Sequence, residues 1–141
     1  MVRELIHDPI FLAGKSEPAT KADLPLAQDL MDTLRFHKES CVGMAANMIG
    51  AHKRIIAFLD DNGPSPVYRL MFNPEIIDCA GPFDTEEGCL SLLGGPRKCK
   101  RYHTIQVRFQ DEKMKVKTKI FRGWTAQIIQ HEVDHCNGIL I

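Results

Sequence analysis

The sequence predicts an α+β domain in which short antiparallel β-sheets pack around one C-terminal helix carrying a His-Glu-x-x-His motif. Three observations predict it. Segments that alternate between apolar and polar residues fill the middle of the chain, punctuated by Gly, Pro, Asn and Asp. The stretch after Gly123, led in by Ile128 and Ile129, reads as a helix that stops at Asn137-Gly138. The length of 141 residues suits a single domain, residues 1–141, burying about 70% of the surface its unfolded chain would expose.

Taken in order, residues 1–24 show no sustained periodicity. Asp8-Pro9, Gly14 and Glu17-Pro18 break the chain there, which predicts a short strand or turn followed by loop. A helix is expected from Pro25 to Lys38. Pro25 suits a first turn, and Leu26, Leu30, Leu34 and His37 recur at helical spacing, a stripe fit for core packing. The run Cys41 to Gly50 is rich in small residues, which let the backbone come close to another element or to a ligand.

Arg54 to Leu59 reads as a strand, Asp60 to Pro64 as a turn, and Tyr68 to Phe72 as a second strand. Asn73-Pro74 then punctuates before a third, Glu75 to Cys79. Glu86 to Ser91 is a short element bounded by Gly81-Pro82 and Gly94-Gly95-Pro96. His103 to Phe109 alternates around Ile105, Val107 and Phe109, and Met114 to Phe121 around Met114, Val116, Thr118 and Ile120. With Gln110 to Lys113 between them, the two predict a hairpin.

Eighteen basic residues balance eighteen acidic ones, so no global field recruits nucleic acid or an anionic membrane. The run Arg97-Lys98-Cys99-Lys100-Arg101 is local and reads as a solvated edge. No apolar run approaches a membrane span and the opening residues resemble no secretory signal, so the expected compartment is the cytosol. Five cysteines without a regular framework are expected there as free thiols.

On a helix, His131 and His135 lie four residues apart on one face, a spacing that lets two imidazoles share one metal ion, with Glu132 beside them as a candidate general base. A catalytic centre needs a third protein ligand and an open position. Only six residues follow His135, so that ligand is expected upstream. Cys89, flanked by Gly88 and by acidic Glu86 and Glu87, is the best candidate; on chemistry alone Cys41, Cys79, Cys99 and Cys136 compete with it. Cys136 points about 100° round the helix from His135. For these four, buried apolar thiols are the expectation.

Two of these stretches carry a resemblance. Glu87-Gly88-Cys89-Leu90-Ser91 and His131-Glu132-Val133-Asp134-His135 match two signature motifs of the peptide deformylase family, and Val42 to Gly50 resembles the third. Asp8-Pro9 and the strand order are similar as well. The resemblance implies that Cys89, His131 and His135 bind one divalent ion, ferrous in the cell, with zinc or nickel able to occupy the site. It implies Glu132 as acid and base, and the Leu90 N–H as a donor to the carbonyl under attack. It also implies that Arg101 pairs with Glu87. The reaction implied is removal of the N-formyl group from the initiator methionine of nascent chains, at the ribosome exit, with no nucleic-acid specificity and no membrane partner.

Trp124, Gln127 and Ile128 tend to share the face of His131 and, with Gly43 and Met44, are expected to line a cavity for the methionine side chain. The same spacing serves plain helix-to-sheet packing. Two positions depart from the family pattern: Cys41 stands at a motif glycine and Met48 at the glutamine that donates to the formyl oxygen. A thioether has no proton to donate. Met48 therefore predicts a slower enzyme, with a degenerate binding paralogue and a small metallopeptidase as the alternatives. Adjacent Asn47 could donate instead, but its side chain is expected to point elsewhere if the segment is extended.

Overall fold

The computed structural model describes every residue from Met1 to Ile141. Five strands, β1 (Gly43–Ala45), β2 (Ile55–Asp60), β3 (Val67–Cys89), β4 (Leu92–Gln110) and β5 (Val116–Arg122), form one antiparallel sheet in chain order. Three helices flank it: α1 (Pro9–Leu12), α2 (Leu24–Phe36) and α3 (Gly123–Cys136). No helix is long and apolar enough to cross a membrane.

The sheet is sandwiched. Alternate side chains of a strand leave by opposite faces, and β2 uses both: Ile56 and Phe58 pack with Ile129 and Val133 of α3, whereas Ile55 and Ala57 pack with Leu30 and Leu34 of α2. That is why β2 reads as an unbroken apolar run. Truncating a buried residue such as Ile129 to alanine costs about 2–5 kcal/mol, so α3 is held chiefly by this packing.

The antiparallel sheet and C-terminal helix are as expected, but the expected short sheets are one sheet with two long central strands. Asn73-Pro74 does not end a strand. It makes a bulge, with Asn73 at φ 53°, its side chain bonded to both backbone groups of Ala19 and to Gln110. The segments around it therefore merge into β3, and Glu86 to Ser91 is the hairpin tip where β3 turns into β4.

Residues 1–24 hold no strand. Asp8 caps the single turn of α1, its carboxylate accepting from the Ile10 N–H at 3.0 Å, and Thr20 and Asp23 form a capping box on a 3-10 turn, Lys21–Asp23. One turn is too short to show a period. β5 also differs from its expected phase. Ile105 pairs with Phe121, so Phe121 faces α3 while Val116 and Ile120 are exposed; Met114 lies outside the strand at φ 62°.

Candidate metal centre

α3 brings its two histidines together, with His131 Nε2 and His135 Nε2 3.1 Å apart. The tip of the β3–β4 hairpin folds onto that face, and Cys89 Sγ reaches to 3.5 Å from His135 Nε2. The three donor atoms lie within 4.8 Å of one another. Of the other thiols, Cys136 is buried, Cys41 and Cys99 are half-buried, and Cys79 is exposed, against the expectation of burial for all four. Cys79 is exposed because the middle of the long hairpin runs beyond the helices that cover the sheet, with Gly81 to Asp84 largely in solvent.

Glu87, within the tip, organises the ring of His131. The Nδ1–H of His131 donates to Glu87 Oε1 at 2.8 Å, which turns Nε2 toward Cys89 and His135. Arg101 donates to the same carboxylate from Nε and Nη2, the latter at 2.7 Å, and from Nη1 to Asp134 at 2.7 Å. Gln127 donates to Glu87 Oε2 at 2.8 Å. Burial would raise the Glu87 carboxyl, but these donors hold it down at about 2. Arg101 is only 4% exposed, so the last cation of the basic run is a buried partner rather than a solvated one.

Burial pushes Glu132 up to about 7, and its Oε1 has no hydrogen-bond partner. Burial opposes charge on both imidazoles as well. Glu132, Cys89 and Glu87 overcome it at His131, which is raised to about 10, whereas burial and the charge of His131 lower His135 to about 3.

A cavity of about 450 Å³ opens beside these groups, walled by Gly43, Met48, Leu90, Trp124, Gln127 and Ile128. Trp124 stands 54% exposed at its mouth. A Cβ on Gly43 would lie 2.7 Å from Ile128 Cγ2 and 2.9 Å from Glu132 Oε2, so only glycine leaves that carboxylate its place. Met44 is not in the wall. It is the next residue of an extended strand, points to the opposite face, and is buried against α2.

Ala46–Ile49 is a 3-10 turn, in which Met48 Sδ accepts from the Ala45 N–H at 3.5 Å. The Asn47 amide points away from the cavity, although the segment is a 3-10 turn and not the extended chain on which that expectation rested. Asp134 as a partner of Arg101, and Cys41, Val42 and Glu86 in the cavity wall, lie outside the residues expected for the site. No local signal announces them. Burial pushes the Cys41 thiol up to about 12, so it stays neutral, donating to the Gly43 carbonyl at 2.9 Å.

The family model for polypeptide deformylase matches residues 5–141. The chain belongs to the polypeptide deformylase family. A peptide deformylase of Clostridium beijerinckii is 50% identical over 141 residues, covering all of both chains. One from Dictyoglomus thermophilum is 37% identical over all of this chain and 91% of the other. The Met-Ala-Ser-bound crystal structure of the class I type b peptide deformylase from Acinetobacter baumannii superposes with a TM-score of 0.86 at 27% identity, over 99% of this chain and 96% of that one. The activity is that of a peptide deformylase, a hydrolase whose substrate is the N-formylmethionyl nascent chain. Deformylases depend on a metal ion, and the thiol and two imidazoles clustered here could hold one. The donors fit such a group: one soft sulfur and two ring nitrogens converge, one ring already turned by a carboxylate.

Proposed function

We propose that Cys89, His131 and His135 hold a single divalent ion and that Glu132 is the general base and acid of deformylation. The observation that carries this reading is the convergence of three donor atoms within 4.8 Å beside a buried carboxylate with one free oxygen. Ferrous iron is the proposed ion in the cell, with zinc or nickel able to take its place; sulfur with imidazole suits each of them. When bound, the ion supplies Lewis acidity, making water a usable nucleophile at neutral pH and polarising the carbonyl under attack.

The remaining steps belong to the chain. Glu132 accepts the proton of the attacking water through its free Oε1. The Leu90 N–H, in the hairpin turn at the cavity wall, donates to the formyl oxygen as negative charge develops there. The formyl C–N bond then breaks, formate leaves, and Glu132 delivers its proton to the freed amine. Gly43, Trp124, Gln127 and Ile128 receive the methionine side chain, and Met48 closes the wall near the formyl group. In this reading the enzyme works in the cytosol on chains leaving the ribosome exit.

The test is formate release from formyl-Met-Ala-Ser by anaerobically purified, iron-loaded protein. Glu132→Ala should lower the rate about 10²–10⁴-fold while the ion stays bound. Equal rates for variant and wild type would sink the assignment. Met48 favours a slower enzyme than a member with a donor there, since losing one such donor typically costs about 10²–10³ in rate. Met48→Gln should raise kcat/KM, and no gain would count against this role.

A further inference from the structure

The two imidazoles of the centre are braced differently. His131 is fixed through its ring, by the bond from Nδ1 to Glu87. The Nδ1 of His135 is buried and has no hydrogen-bond partner. Ligand histidines ordinarily use the second nitrogen to set the ring, so His135 must be set some other way.

Its backbone shows how. The His135 carbonyl accepts from Asn47 Nδ2 at 3.1 Å, and the same amide group donates to the Leu12 carbonyl at 3.3 Å. Asn47 is fully buried, and an amide nitrogen has two protons, so both are committed. His135 lies in the last turn of α3, beyond the reach of α-helical donors; its carbonyl also takes the Gly138 N–H at 3.1 Å, from the chain's own turn, so Asn47 is the one contact that ties it to another part of the fold. Asn47 also directly precedes Met48 of the cavity wall. One side chain thus joins α1, the 3-10 turn and the end of α3.

We infer that Asn47 is a positioning residue for the metal centre, setting the place of His135 Nε2 by holding that residue's carbonyl. The inference rests on the reading of Cys89, His131 and His135 as ligands. Alanine at this position leaves the Leu12 carbonyl without its donor and the His135 carbonyl held from one side only, by the Gly138 N–H; serine restores one proton at most.

The experiment uses Co²⁺ as a visible ion in the wild type, Asn47→Ala, Asn47→Ser, and Phe109→Ala. The last is a core truncation at the opposite end of β4 from the hairpin tip. Two quantities are read at temperatures equally far below each Tm: the cobalt absorption bands and the rate of Co²⁺ loss to EDTA. Asn47→Ala should shift the bands and speed loss about tenfold or more. Asn47→Ser should fall between, and Phe109→Ala should match the wild type. If Asn47→Ala behaves like Phe109→Ala, the residue is merely structural and the inference fails. If Asn47→Ala does not fold, Asn47→Ser decides by the same readings. A wild type without a thiolate-to-cobalt band would overturn the ligand assignment itself, and this inference with it.

Discussion

Beyond its apolar packing, α3 is tied to the hairpin by a buried ionic cluster and, at its C-terminal end, to the chain's first residues and the 3-10 turn by neutral groups. On the hairpin side Arg101 lies buried between Glu87 and Asp134, Glu87 holds His131, and Gln130 pairs with both backbone groups of Tyr102. At the other end Asn47 and the Ser16 N–H cap the carbonyls of His135 and Cys136, and Gly138 packs against Ala13. The difference teaches what each kind of contact is for. Desolvating charges costs as much as their pairing returns, so a buried ionic cluster sets geometry more than stability. Neutral caps each add about 1 kcal/mol and keep the helix end from fraying.

The contrast can be broken most forcefully at Arg101. Arg101→Ala leaves Glu87 buried without its main cation and should cost about 3–5 kcal/mol in urea unfolding. Adding Glu87→Gln to that variant should recover part of the loss, because uncompensated charge is what the single variant exposes. No recovery would mean that packing, not charge, dominates this side.

Gly138→Ala attacks the neutral side. The residue sits at φ 74° and its new Cβ would lie 2.4 Å from the Ala13 carbonyl oxygen, so a loss of about 1–3 kcal/mol in thermal unfolding is expected. Gln127→Leu should cost only about 1 kcal/mol, since Glu87 keeps Arg101 and His131; a larger loss would make Gln127 an equal member of the cluster. Arg108→Ala, removing an exposed pair with Glu75 that touches neither side, should stay within about 0.5 kcal/mol.

Much of the site was legible because its parts are local. Spacing on one helix puts His131 and His135 on a shared face, Asn137-Gly138 does end that helix, and Ile105, Val107 and Phe109 are buried in the expected phase. Misreadings arose where a distant partner decides. Arg101 looks like one more surface cation until Glu87 and Asp134 enclose it. Val116 and Ile120 look inward-facing until the register with β4 commits Phe121 instead. Met44 looked like a wall residue because its neighbour Gly43 is one, but adjacent strand residues face opposite ways.

By itself, then, the sequence determined the kinds of donor and their spacing along a helix, because helical geometry is settled within a few residues. Spacing alone left five thiols in play, and the tertiary structure is what brings Cys89 to the two imidazoles. Cys89 and His135 are 46 residues apart, and their meeting depends on the bulges and register of a long hairpin folding back onto α3. Such pairing is a sum of many weak contacts between distant segments, which no short stretch of chain contains.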